Sequence, residues 1–357
     1  MYKWFALFCF LPAIAHARYY PAKGPFPMRT QHPVYLQMVQ LTPAKAEVLP
    51  TGNFEVRVDS SYSNLYERQT DGVNAINLDM ELWYLNWVAT YGLLPNLEVG
   101  LELPLIHFGT GFLDSFIQNY HNAFGFPNGG RDQVQNGLFT YRITRRGNVV
   151  YQVPSAVAVG LSDISLFGKY QFLDETDVRP AFASRLVLKF PTGNSVDGLG
   201  SGNVGVGVGL AAQKSYKRLH GYVNLNYLAD LGNDSLAGLM KKHAFDFALA
   251  GEVSISKKVA AIVQLSGGTA RLKGLGLTEW ESMPLDFVVG ARGEMKNFFW
   301  QAAFSEDLRA IGPSVDFTVL MSVGMRFPLP GQLYQGDFWG SVKKEYLPRR
   351  FVPPQIL

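Results

Sequence analysis

From Phe317 to Phe327 every second residue is apolar: Phe317, Val319, Met321, Val323, Met325 and Phe327, with Thr318, Ser322 and Arg326 set between them and Asp316 just before. A period of two sends the two sets to opposite faces of a β-strand. The alternation recurs in twelve runs, approximately 53–63, 76–91, 96–107, 158–173, 179–190, 203–214, 218–230, 242–255, 258–269, 283–294, 297–305 and 315–327. Many reach the roughly 9–11 residues that a tilted strand needs to cross a bilayer. Strands of soluble proteins average only about 5–6.

The connections sort by length. Short turns are expected at 92–95, 174–178, 215–217, 256–257 and 295–296, and longer loops near 64–75, 108–157, 191–202, 231–241, 270–282 and 306–314. Short on one side and long on the other is the pattern of outer-membrane barrels. One face of each run is apolar and the other polar or small, which only lipid outside and water inside can satisfy, with closure removing the edges. The expected fold is therefore all-β, a transmembrane antiparallel up-and-down β-barrel of about 12 strands with a long helix-containing extracellular loop. Composition agrees: charged residues are 17% of the chain, against about 25% in soluble domains. Tyr62, Phe172, Phe182, Phe190, Tyr227, Phe245, Phe298, Phe304, Phe317 and Phe327 fall near strand ends, as interfacial girdles do.

Residues 1–17 read as a signal peptide, with Lys3, an apolar Phe5–Ile14 core and a small-x-small Ala15-His16-Ala17 site. Cys9, the single cysteine, falls inside it, so disulfides and thiolate metal sites are excluded from the remainder. Residues 53–327 are the barrel and 328–357 a periplasmic tail. An even strand number puts both termini in the periplasm. Residues 18–52 carry Pro21, Pro25, Pro27, Pro33, Pro43 and Pro50, which bars them from a central strand. They form either a plug in the periplasmic mouth, with 34–41 short and extended or helical, or a loose leader.

In the 108–157 loop, Phe112, Leu113, Phe116, Ile117 and Tyr120 recur at helical spacing, with Asp114 in the first turn and Gly125 and Pro127 at the end. Leu138 to Val153 reads as a hairpin turning at Arg146-Gly147-Asn148. A loop of this length is usually functional; here it would fold inward or cap the pore.

The segment Gly111-Phe112-Leu113-Asp114-Ser115-Phe116-Ile117, with His121 and Phe124-Gly125-Phe126-Pro127-Asn128-Gly129-Gly130-Arg131-Asp132, is the more specific of two motif groups. The other pieces are Gly24-Pro25, Gln31-His32-Pro33-Val34-Tyr35, Gly160-Leu161-Ser162-Asp163 and Lys189-Phe190-Pro191-Thr192-Gly193-Asn194. Together they resemble a bacterial envelope family, domain of unknown function 3187, over essentially the whole mature chain. The resemblance implies a β-barrel and no particular activity.

A net charge of +3 from 32 basic and 29 acidic residues gives no reason to expect a nucleic-acid partner. No His-x-x-x-His spacing or clustered acids point to a metal, and no cofactor is expected. The candidate lumen lining is Glu55, Arg57, Asp59, Asp79, Glu81, Glu98, Glu102, Lys169, Arg185, Lys189, Asp246, Glu252, Asp286, Arg292, Asp316 and Arg326. These charges either set a transverse field for a polar solute or pair across strands to fill a narrow lumen. A glycine stripe at 205, 207 and 209 would leave a groove in which the loop or leader packs, or along which solute passes.

The leading functional expectation is a narrow or gated pore for small solutes, gated by the 108–157 loop. A rival is a lipid-modifying barrel enzyme with Ser115 and His121 at the outer rim. A third is a structural or assembly barrel whose basic tail, Lys343 to Arg350, binds a periplasmic partner. The expected partners are outer-membrane lipid, a small solute and, during biogenesis, the barrel-assembly machinery.

Overall fold

The computed structural model describes residues 20–111, 113–125, 130–232, 235–308, 313, 315 and 317–329. Asn128, Gly129 and Asp316, residues 1–17 and nearly all of the 328–357 tail lie outside that set.

Twelve antiparallel strands make the wall: β1 (Asn53–Thr70), β2 (Ala75–Leu94), β3 (Leu97–Gly109), β7 (Ser165–Leu173), β8 (Ala181–Lys189), β9 (Gly205–Tyr216), β10 (Leu219–Asp230), β11 (His243–Ser254), β12 (Val259–Gly268), β13 (Leu285–Met295), β14 (Phe298–Asp307) and β15 (Phe317–Pro328). Each pairs with its sequence neighbour, and β1 pairs with β15 from Asn53↔Pro328 to Asn64↔Phe317, closing the barrel. The hairpin β4 (Thr140–Arg145) and β5 (Asn148–Val153) and the short β6 (Gly160–Leu161) belong to the long connection after β3. Arg146 and Gly147, with φ of 52° and 74°, make the hairpin turn, as a two-residue turn matching strand twist requires.

The outer face is apolar and bare. Met321, Val323 and Met325 are 63%, 50% and 52% exposed, and Leu186, Val208, Leu225, Leu249, Val263 and Val289 are exposed likewise. Aromatic pairs bracket this belt, with Phe54–Phe327 and Phe172–Phe182 near the turn end and Tyr227–Phe245 and Phe304–Phe317 near the loop end.

One connection is shorter than its sequence suggests. Residues 64–75 are mostly strand, because β1 and β2 run on to Thr70 and Ala75 and leave a four-residue turn. There Asp71 accepts from the Asn74 and Val73 amides, which hold its carboxyl below the usual carboxylate range. The two strands thus rise past β3, and β4 pairs with the upper part of β2, Ala75↔Thr144 to Asp79↔Thr140.

Candidate functional site

The lumen is occupied by the chain's own N-terminal segment. Residues 20–52 enter at the turn end, climb to the loop end, reverse at the four-residue helix α1 (Pro33–Leu36), and descend to begin β1. On the way up, Tyr20 meets Arg218 in the β9–β10 turn (2.8 Å). The Lys23 and Gly24 amides donate to the Glu252 carboxylate (3.0–3.1 Å), and the Phe26 amide to Gln264 (2.9 Å). Arg29 pairs with Glu102, and His32 with Glu67 (3.0 Å). On the way down, the wall donates to plug carbonyls: Arg271 to Val39 (2.7 Å), Asn226 to Leu41 (3.2 Å), Arg185 to Thr42, and Lys169 to Lys45 (3.1 Å). Asn224 both donates to and accepts from the Ala44 backbone (3.0 and 3.1 Å), and the Leu49 amide donates to Glu98 (2.6 Å). Gln40 ties the two limbs, accepting from the Thr30 amide and donating to the Tyr35 carbonyl.

Sequence explains why an irregular segment tolerates this place. Buried amides and carbonyls need partners, and six prolines remove six N–H donors. Wall Asn, Gln, Glu and Arg side chains serve the rest, standing in for a neighbouring strand. The glycine stripe supplies the room. A Cβ on Gly205 would lie 2.6 Å from the Val39 Cβ, and one on Gly209 would lie 2.8 Å from a Leu41 methyl. A cavity of about 40 Å³ lies between Arg29, Gln40, Asp246 and Asp286, water-sized rather than solute-sized.

Register fixes where the candidate lumen residues point. On β1 the odd positions Glu55, Arg57 and Asp59 face inward, with Glu98, Glu102, Lys169, Arg185, Lys189, Asp246, Glu252, Asp286, Arg292 and Arg326 on the same surface of the sheet. Asp79 and Glu81 do not join them. Asp79 pairs with Tyr66 and Glu81 with Asn64, while the flanking Leu78 and Met80 face in, so both acids sit on the outer wall. Within the lumen, charges pair along the wall: Arg57 with Asp59 (2.8 Å), Arg326 with Glu55 (2.6 Å) and Glu294 (3.2 Å), Lys169 with Glu98 (2.9 Å), and Arg271 with Asp246 (2.7 Å).

The long loop divides in two, and neither half enters the lower lumen. Its first half, with helix α2 (Asp114–Phe124), clasps the outside of β1–β2. Asp114 accepts from Asn64 (3.3 Å), Arg131 (2.8 Å) and the Gly137 amide (2.9 Å). Glu81 accepts from the Leu113 amide (2.5 Å) and from Tyr62. Tyr66 donates to the Gly130 carbonyl (3.4 Å), and the Arg131 guanidinium lies 5.2 Å over its ring. Asp132 is exposed in the short turn after Gly130. Ser115 is exposed and accepts from Asn136 (3.0 Å). His121 lies on α2 with its side chain outside the described set.

The hairpin half caps the lumen. Tyr141, Ile143 and Val153 pack with Leu65, Leu78, Met80 and Phe108, with Leu239, Leu272, Leu277 and Trp280 of two other loops, and with Val34, Tyr35 and Leu36 at the plug tip. Gln37 donates to Tyr141 (2.9 Å). The Trp280 ring stands edge-on to His32 at 6.1 Å. In the same loop, burial and the nearby Glu67 charge raise the Glu279 carboxyl above its ordinary value.

The Gly160–Asp163 and Lys189–Asn194 pieces meet in one clasp at the ends of β7 and β8. Asp163 accepts from Lys189 (2.5 Å), the Gly193 amide (3.0 Å) and the Ser201 amide (3.2 Å), and Thr192 donates to the Ser162 carbonyl (2.9 Å). A Cβ at Gly193 would lie 2.4 Å from the Leu199 carbonyl oxygen, so only glycine fits.

The family model described as "Protein of unknown function (DUF3187)" matches residues 3–327, and the chain belongs to that family. No curated protein sequence matches it. Among solved structures, the COG4313 outer membrane channel from Pseudomonas putida F1 is similar in fold at 14% identity, with a TM-score of 0.54 over 81% of this chain and 100% of that one. Weaker likenesses are to the NanC porin (8% identity, TM-score 0.43, 76% and 98% covered) and the P. putida toluene transporter TodX (11%, 0.35, 84% and 93%). The architecture is that of outer-membrane barrels.

Proposed function

We propose that this member of the DUF3187 family is an outer-membrane channel for small solutes, and that its own N-terminal hairpin, residues 20–52, is the gate. The observation that carries the reading is the character of the plug's contacts. Apart from its tip, the segment is held by hydrogen bonds and ion pairs to polar wall groups and by three small, separate apolar contacts, Phe26 and Met28 against Ile262, Val288 and Leu320, Val39 and Leu41 against Val187 and Leu228, and Ala46 against Ala181 and Ala183, rather than by one continuous apolar core. Those wall groups can exchange the plug for water, so release is reversible. Both limbs open at the turn end, so the hairpin can withdraw without threading a chain end through the barrel. With the turn end in the periplasm, withdrawal would be toward the periplasm.

The sequence favoured the 108–157 loop as the gate. Its helical half lies on the outer wall and its hairpin half forms the cap, so the narrowing itself belongs to residues 20–52. A lumen lined by Asn, Gln, Glu and Arg suits polar, hydrated solutes.

Planar-bilayer recordings test this. The full chain should be closed for most of the record with brief openings, and a chain lacking residues 23–48 should conduct steadily. A folded deletion chain, judged by heat-modifiable mobility on a gel, that stays silent would remove the channel reading.

A further inference from the structure

We infer that the open lumen selects cations, and that Glu67, Glu102 and Glu252 are the carboxylates that recognise them. This rests on the channel reading above and names the solute class. In the closed state these three acids take their donors from the plug: His32 for Glu67, Arg29 for Glu102, and the Lys23 and Gly24 amides for Glu252. At hydrogen-bond distance the wall offers them neutral partners, Gln69 to Glu67 (2.5 Å) and Tyr222 to Glu252 (2.6 Å), while Arg57 and Arg185 act on Glu102 only at longer range.

The wall's own cations behave differently. Arg57, Arg326, Lys169, Lys189 and Arg271 each keep a carboxylate that does not belong to the plug. Where their side chains hydrogen-bond the plug, as Arg271 and Lys169 do, they bond carbonyl oxygens, which water replaces, and Arg271 also lies over the Tyr35 ring. Arg185 is bonded to Asn224 (2.8 Å) and the Thr42 carbonyl, and the Arg292 guanidinium lies 5.1 Å from the Phe299 ring.

The plug carries Lys23, Arg29 and Lys45 against Glu47 as its single acid. Its departure takes away more positive than negative charge. The emptied lumen then holds three carboxylates that have lost their plug donors, with Asp230 and Asp286 also facing inward, against Arg185 and Arg292. They are spaced along the path. Glu252 is two residues from the turn end of β11, Glu102 stands mid-height on β3, and Glu67 lies near the loop end of β1. A permeant cation would meet them in succession, as in filters built from acidic side chains. The plug's cationic groups occupy the positions that the solute's cationic groups would take.

The test uses the full chain, with Arg29→Glu as a release variant that repels Glu102. Reversal potentials are measured in bilayers under a tenfold KCl gradient. The account expects K⁺ to be preferred over Cl⁻ by about tenfold, the factor that a local potential of a few kT sustains. Adding Glu252→Gln or Glu67→Gln to the release variant should in each case lower that preference. Open channels with no preference, or with preference for Cl⁻, overturn this inference and leave the channel reading standing. Absence of current from both the full chain and the release variant overturns the two together.

Discussion

The lower half of the plug is held mainly by polar contacts and three small apolar ones, the upper half by one large apolar cluster. Below, residues 20–30 and 42–50 lie against Glu252, Gln264, Glu102, Asn224, Arg185 and Glu98 at one or two polar contacts per residue, with Phe26, Met28 and Ala46 in small apolar clusters beside them. Above, the tip at Val34–Leu36 is buried among Tyr141, Leu272 and Trp280, all essentially without exposure. Net hydrogen bonds exchange with water at little cost. Apolar surface does not, at about 25 cal/mol per Å² exposed. The lower contacts therefore set the register and charge of the gate, and the upper cluster sets how firmly it is shut. In the proposed gating, the cap would release the tip first and the limbs would follow.

That contrast can be broken by substitution. The largest effect is expected at the cap. Trp280→Ala removes the bulkiest buried side chain and should cost about 3–5 kcal/mol, lowering the thermal midpoint and raising open probability in bilayers. Next is Arg29→Ala, which leaves Glu102 buried without its cation at a cost of about 3 kcal/mol. Here the comparison sharpens, because adding Glu102→Gln should recover most of the loss in urea unfolding, whereas no charge change should rescue the cap. Gly209→Leu drives a side chain into Leu41 and should shift open probability by about 2 kcal/mol, the cost of overpacking. The smallest effect belongs to Gln37→Ala, which removes one bond to Tyr141 and should cost about 1 kcal/mol. Asp114→Ala should release α2 from the outer wall, seen as faster proteolysis within 113–137, with gating unchanged. A changed open probability there would tie the outer clasp to the gate.

Much of the wall was legible because lipid and water impose a strict two-residue period, and β15 shows it residue by residue. Legibility failed where the environment stopped alternating. On the raised part of β2, Leu78, Asp79, Met80 and Glu81 are all buried, since the cap covers one face and the α2 segment the other. Polarity there no longer reports the lumen, so Asp79 and Glu81 looked inward when they are not. The 64–75 loop was misjudged for the same reason. The plug left a different trace. Its prolines excluded a strand, and the glycine stripe announced a groove. Its partners, however, are single side chains such as Asn224 and Glu252, some 180 and 229 residues away, and no local pattern encodes such a pairing.

The central claim is that residues 20–52 must leave the lumen for the channel to conduct. Paired cysteines at Val39 and Gly205, with Cys9 replaced by Ser, test it directly. The Cβ positions lie 2.6 Å apart, and a disulfide needs about 3.8 Å, so a small outward shift allows the bridge. Single-channel current through this chain should vanish when the pair is oxidised and return on reduction. Equal conductance in the two states would contradict the account.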